Sequence, residues 1–498
     1  MMAGDSVTLL QATERTKVFC FFFSKKKNPS SFLTKNPAIA PVKRLQNPET
    51  APRLSRYRPR RGLAPHLPTS LEFMMNHRLV ISRAALAGVT ALTCLAAAAR
   101  ASDAPHETSY HVDGGLVVKP ASSQARPEDA GHFAHTNLLL FFKNGIRQPS
   151  SSPAVGYNTP ASLACVYGFV TPVTGCNPTT VTALPTGGSK VVVIVDAFDD
   201  PTALNDLTVY SAQFGLPAPT ADNFQVVYAS GHKPKQDSSG GWEFEESLDI
   251  EISHAMAPNA KIVLVEAASN DTKHLIEAEK VAGTIAAAAG GGEVSNSWGG
   301  GEFAGEGASE SNFSAPNTVF FASTGDSPGT IWPSVLHNVV GAGGTSINRN
   351  GDHDFISQTT WTEGGGGSSQ YLKIPGYQKP VKSVVGKMRG VPDFSFVANP
   401  STGVVIYDTT PYGGQTLDWA VVGGTSVASP ALAAVINAAG GFAASTTAEL
   451  KKVYRDYTKA SDWTDITVGK CGNNGGASAT TGYDFCTGIG VPNGYGGK

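Results

Sequence analysis

The chain has 498 residues, 41% of them hydrophobic and only 16% charged, with a formal net charge of −2. That apolar share excludes an intrinsically disordered chain and supplies a large core. The near-neutral total conceals a split: residues 1–101 carry a net +12 and the remainder a net −14. So acidic a main body excludes a protein that binds nucleic acid by neutralising phosphates.

Residues 1–74 are basic, proline-rich and poor in acid, and are expected to be a non-native or disordered extension. Residues 75–101 read as a signal peptide. Asn76-His77-Arg78 and Arg83 form a basic start, Ala84 to Ala99 a small apolar run, and Ala99-Arg100-Ala101 a small-x-small cleavage site. The protein is therefore expected to be secreted or periplasmic. No later stretch reaches the roughly 18 uncharged apolar residues of a membrane span, so no membrane association is expected. Residues 102–150 show no sustained periodicity and read as a linker or short pro-segment, with Ser150-Ser151-Ser152-Pro153 at its end, before a folded domain over 151–498.

The organised pattern begins near Thr159. Lys190 to Val195 is a continuous β-branched run, followed by a helical pattern from Thr202 to Phe214. Further apolar runs occupy Phe224 to Tyr228, Lys261 to Val265, Val319 to Ala322, Val339 to Ala342 and Val404 to Tyr407. Strands alternating with helices predict an α/β fold with a mainly parallel sheet covered on both faces. Of the six cysteines, four lie in the mature region. The pairs Cys165 with Cys176 and Cys471 with Cys486 are expected as disulfides, because each closes a short Gly/Pro-containing loop in an oxidising compartment.

The most specific chemical signal is Gly423-Gly424-Thr425-Ser426-Val427-Ala428-Ser429-Pro430 followed by an alanine-rich run. It predicts a buried helix with Pro430 in its first turn and Ser426 at its N-terminus, where the helix end favours the negative charge of acyl transfer. A serine nucleophile needs a base, yet none of the histidines of this region (His232, His254, His274, His337, His353) sits in an H-G-T-H context. An acid-rich helix from Glu243, ended by Pro258, stands in its place. On it Glu245 and Asp249 are four residues apart, with Cβ atoms about 5–6 Å from each other, and two such carboxylates resist double ionisation. Asp326 lies in a Gly-rich turn just after an apolar strand. Near the C-terminus, Asp465 and Asp484 lie in glycine-rich loops, a setting suited to one calcium ion.

At these residues the sequence resembles the sedolisin, or serine-carboxyl peptidase, family, in the form of a bacterial-type secreted member. The matching segments are E-E-S-L-D around Glu245, S-T-G-D-S around Asp326 and G-G-T-S-V-A-S-P around Ser426, in family order. The resemblance implies a subtilisin-like fold and peptide-bond hydrolysis at acidic pH. Ser426 would be the nucleophile, Glu245 the general base and acid, Asp249 its orienting partner, and Asp326 the oxyanion donor. It further implies that Ser297, Trp298 and Gly299 carry the substrate, that Asp196 supports the carboxylates, and that Asp465, Asp484 and the carbonyls of Ile466 and Gly482 hold Ca2+. Thr480 stands where relatives usually have glycine. Most relatives also carry a long prodomain, for which residues 102–150 are too short, so that stretch would serve at most as an inhibitory arm. The expected partners are peptide or protein substrates, and the expected state is a monomer. Two other classes are compatible with these motifs: a silent homologue that binds extended peptides by strand addition, and a neutral subtilisin-type hydrolase using His254.

Overall fold

The computed structural model describes residues 105–472 and 476–498, so the extension and the export signal expected over 1–101 lie outside the described residues. In chain order these residues form strands β1 (Thr108–Val112), β2 (Gly115–Lys119), β3 (His135–Thr136) and β4 (Leu139–Lys143), helix α1 (Pro160–Val166), β5 (Val191–Ala197), α2 (Ala203–Phe214), β6 (Phe224–Tyr228), α3 (Gly241–Met256), β7 (Lys261–Ala267), α4 (Thr272–Ala288), β8 (Gly292–Asn296) and β9 (Trp298–Gly301). There follow β10 (Thr318–Ser323), β11 (Val339–Arg349), β12 (Phe355–Thr360), β13 (Phe394–Val397), β14 (Val404–Asp408), β15 (Asp418–Gly423) and α5 (Thr425–Ala439).

The main sheet runs in the order β12-β11-β10-β8-β5-β7-β6, with β13 also paired to β11. Every pairing is parallel except that of the edge strand β12. Strand β5 shows why its sequence is apolar from Val191 to Val195. Val192 and Ile194 enter one core with Phe244, Leu248 and Ile252 of α3 and Val427, Leu432 and Ile436 of α5. Val191, Val193 and Val195 enter another with Leu275, Ala278 and Ala282 of α4. Each such side chain removed from water is worth about 1.5–3 kcal/mol. Both faces are thus covered, as the alternating pattern predicts.

Two expectations need correction. Residues 108–143 are not an irregular linker: β1, β2 and β4 join β15 and β14 in a five-stranded antiparallel sheet ordered β1-β2-β4-β15-β14. The driving force is visible in Leu138 to Phe142, five consecutive apolar residues that are all buried. The run at Val404 to Tyr407 belongs to this sheet and not to the parallel one, because its neighbour β15 returns directly beside it.

Disulfides join Cys165 to Cys176 and Cys471 to Cys486, as expected. The first ties the end of α1, capped by Thr159, to the following loop.

Candidate active site

Helix α5 starts at the carboxyl ends of the parallel strands, the edge at which open α/β sheets bind ligands. Gly424 precedes it with φ +104°, a conformation that favours glycine. Pro430 is not in the first turn but inside the helix. Its missing N–H would have bonded the carbonyl of Ser426, four residues earlier. That carbonyl is met instead by the Ser297 hydroxyl at 3.2 Å, and the same hydroxyl also lies 2.7 Å from Asp249 Oδ1 as a donor. One serine thereby links the Ser426 turn to the acid helix.

All sixteen residues of α3 are buried, including Glu245 and Asp249. Neither Glu245 oxygen has a full hydrogen-bond partner among the described residues. Its pKa is held well above the ordinary range, first by burial, then by the charges of Asp249 and Asp196, with the Ser426 hydroxyl pulling the other way. Burial likewise raises Asp249, against the Ser297 hydrogen bond. Asp196 is raised by burial and by Asp249, Glu266 and Glu279. The Ser426 hydroxyl itself donates to the Ser297 carbonyl at 3.2 Å.

Asp326 sits across the Ser426 turn. Its Oδ1 accepts from the Thr425 N–H at 2.7 Å and the Thr425 hydroxyl at 2.9 Å, whereas Oδ2 is buried without a hydrogen-bond partner among the described residues. Burial pushes its pKa up to about 7, against the Thr425 N–H bond and the Lys119 cation. With Oδ1 accepting twice, the proton of the neutral acid belongs on Oδ2. A Cβ added to Gly424 would lie 2.5 Å from that Oδ2 and 2.0 Å from the Asn137 carbonyl oxygen, the oxygen that accepts the Ser426 N–H at 3.2 Å.

Ser297, Trp298 and Gly299 follow β8 directly. The Trp298 ring is core, its Nε1 donating to the Val195 carbonyl at 2.8 Å, so only backbone is offered to the groove. That backbone is occupied by the chain's own β3: His135 and Thr136 pair antiparallel with Gly299 and Trp298. Asn137 was not singled out from the sequence. The apolar run after it was the available signal, since a strand that starts at Leu139 draws the preceding residues into the groove.

The chain aligns with kumamolisin from Bacillus sp. (strain MN-32), 27% identical over 431 residues that cover 76% of this chain and 68% of that protein. It aligns equally with sedolisin from Pseudomonas sp. (strain 101), 25% identical over 439 residues, 76% of this chain and 69% of the relative. The chain is thus similar to sedolisin-family peptidases over about three quarters of its length. Its fold is that of a solved sedolisin, Pseudomonas serine-carboxyl proteinase complexed with two molecules of pseudo-iodotyrostatin, with a TM-score of 0.55 at 23% identity over 69% of this chain and 96% of that one. No protein-family profile matches the chain. As its sedolisin relatives are serine-type peptidases, so is this protein, with a subtilisin-like α/β fold.

His254 lies toward the far end of α3 with Nε2 against the Pro217 carbonyl at 2.8 Å, and burial lowers its pKa. Four residues of the C-terminal loops were expected to hold calcium. Asp465 Oδ2 accepts the Gly482 N–H at 2.7 Å while Oδ1 is buried without a hydrogen-bond partner among the described residues, and Ile466 is buried beside it. Asp484 accepts from the backbone N–H groups of Thr480, Cys486 and Thr487 at 2.9 Å each, and the Asp465 charge helps to raise its pKa. Among the described residues no three His, Cys, Asp or Glu side chains are grouped to hold a metal. A cation here would rest on two carboxylates and carbonyl oxygens. No helix among the described residues is long and apolar enough to cross a membrane.

Proposed function

We propose that this protein is a secreted or periplasmic, monomeric serine-carboxyl endopeptidase of the sedolisin type, working at acidic pH. Ser426 attacks the substrate carbonyl and Glu245 takes its proton, then delivers it to the leaving amine. Asp249 orients Glu245, and protonated Asp326 shares the oxyanion with the Ser426 N–H. The observation that carries this reading is the buried Asp326 Oδ2, without a hydrogen-bond partner among the described residues, on the same side of Gly424 as the Asn137 carbonyl that accepts the Ser426 N–H at 3.2 Å. Such donors are worth about a hundred- to a thousandfold in rate.

The pH window follows from the signs. Asp326 must keep its proton, so activity falls as pH rises through about 7. Glu245, Asp249 and Asp196 repel one another and share few charges, so the base appears with the first ionisation of this buried group and is lost in stronger acid. A bell-shaped profile on the acid side of neutrality is expected. Endopeptidase action is favoured because the chain lying along β9 continues past His135, with the Phe133 carbonyl beside Gly300 and Ala130 beside Gly301.

One Ca2+ would be held by the carboxylates of Asp465 and Asp484 and the carbonyls of Ile466 and Gly482. The partnerless Asp465 Oδ1 fits that role, and the ion would brace the loops closed by Cys471–Cys486. The two disulfides fit export to an oxidising compartment. The test is cleavage of a peptide library across pH by wild type and Glu245→Gln. Full activity at pH 8 with none at pH 4 would contradict the proposal.

A further inference from the structure

We propose that a pocket between Lys143 and Arg349, outside the proposed active site, binds a free tetrahedral oxyanion, sulfate or phosphate, and that the bound ion ties the two sheets together. The inference uses none of the catalytic roles given above.

The pocket has a volume of about 230 Å³ and opens where Lys143, the last residue of β4, approaches Arg349, the last residue of β11. The chain around it is held in unusual conformations. His353 has φ at +70°, a region that side chains rarely enter. Its ring fills the space over Gly156, where a Cβ would lie only 2.4 Å from Nδ1.

Arg349 supplies the charge. Its Nη1 donates to the carbonyls of Cys176 and His353 at 3.0 Å each, and its Nη2 to Asn158 Oδ1 at 2.7 Å, all neutral acceptors. Nε is buried without a hydrogen-bond partner among the described residues, and the guanidinium makes no ion pair there. Burial pulls its pKa down to about 10, opposed by the charge of Asp354. That carboxylate is itself engaged, its Oδ1 accepting from Asn177 Nδ2 at 2.9 Å. A guanidinium taken from water and faced by neutral oxygens gains from an anion brought to its free edge.

The rest of the lining is rich in donors and short of acceptors. Lys143 Nζ, the Tyr157 hydroxyl, Asn350 Nδ2 and the His353 ring have no hydrogen-bond partner among the described residues. The two amide oxygens are already spent: Asn158 Oδ1 on Arg349, and Asn350 Oδ1 on the N–H groups of Asp352 and Asp354 at 2.9 Å each. Free donors beside occupied acceptors suit a ligand that accepts, and a guanidinium with an ammonium across from it suits tetrahedral oxygens. Lys143 belongs to the antiparallel sheet and Arg349 to the parallel one, so one ion held by both would join them. Asn158 extends that tie to the turn before β14, its Nδ2 donating to the carbonyls of Thr402 and Gly403 at 2.6 and 2.9 Å.

The test titrates the full chain with sodium sulfate at pH 5 by calorimetry and follows thermal unfolding, against sodium chloride at equal ionic strength. Wild type should bind one sulfate saturably, and its melting temperature should rise by about 3 °C at a hundredfold excess over Kd. Phosphate, singly charged at this pH, should compete for the same site more weakly. Lys143→Met should weaken sulfate binding about tenfold, and Arg349→Met about a hundredfold. Arg349→Lys keeps the charge but loses the fork, and should weaken it by at least about tenfold even where Arg349→Met fails to fold. Ser426→Ala should bind sulfate as wild type does. A melting shift matched by chloride, or sulfate affinity unchanged in Lys143→Met and Arg349→Lys, would overturn the inference and leave Arg349 a structural clamp on three carbonyl oxygens.

Discussion

Two groups of carboxylates lie equally deep in this protein and are treated in opposite ways. Asp393, fully buried, receives both terminal nitrogens of the fully buried Arg389 at 2.6 and 2.8 Å, the Tyr454 hydroxyl at 2.6 Å and the Gly341 N–H at 2.8 Å. Glu245, Glu246 and Asp196 are as deeply buried, and none of their six carboxylate oxygens has a hydrogen-bond partner among the described residues. An interior charge is tolerable only when paired and bonded. The first group meets that condition and braces β11 against the segment leading to β13. The second does not, so its members hold protons that water would have taken from them. A buried acid kept short of partners is a poor brace and a ready proton carrier.

The largest effect should come from Glu245→Gln, which removes one carrier: a loss in kcat on the order of 10⁴- to 10⁶-fold, measured on a peptide at pH 4. Thermal stability should be unchanged or higher, since a buried ionisable group has gone. Arg389→Met should invert that outcome. Breaking the paired group costs about 3–5 kcal/mol of stability, read by denaturant unfolding, while activity per folded molecule stays close to wild type. If both variants behaved alike, the contrast between the groups would fail.

Asp326→Ala should cost about 3–4 kcal/mol of barrier in kcat. Asp326→Asn, which retains a donor, should recover part of it and lose the fall in activity through about pH 7. Stability should follow pH with one sign. Burial raises Asp200 to about 6, Glu243 and Glu293 to about 8 and Glu266 to about 9. A raised carboxyl stabilises the fold fully below its unfolded pKa of about 4 and loses that contribution as pH rises through the folded value. The melting temperature should therefore be highest near pH 4 and decline toward pH 9, by a free energy on the order of several kcal/mol. The smallest effect is expected from His254→Ala, which leaves turnover largely intact because that ring faces Pro217 and not Ser426.

Much of the parallel sheet was legible because β-branched runs bounded by turns admit few alternatives. Strand β6 falls on the expected Phe224–Tyr228, and α3 stops just before Pro258 as the breaker requires. Glu245, Asp249, Asp326 and Ser426 were legible as candidates because each sits in a short, chemically dense segment, and the fold brings them to one place. The antiparallel sheet was not legible. Its strands are short and meet partners almost 300 residues away, as when Leu140 lies against Val422, a pairing that no local pattern encodes. The place of Pro430 was also missed, because a proline inside a helix is tolerated only where a distant group, here Ser297, answers the orphaned carbonyl.

That Ser297 hydroxyl has a mechanical side. The residue whose carbonyl accepts the Asn137 N–H also holds, through its own side chain, the first turn of α5 and Asp249 of α3. A peptide bound as proposed would therefore pull on a knot common to the Ser426 turn and the acid assigned to orient Glu245. Slack introduced there by Ser297→Ala would let the three parts drift independently even with every reacting atom still present.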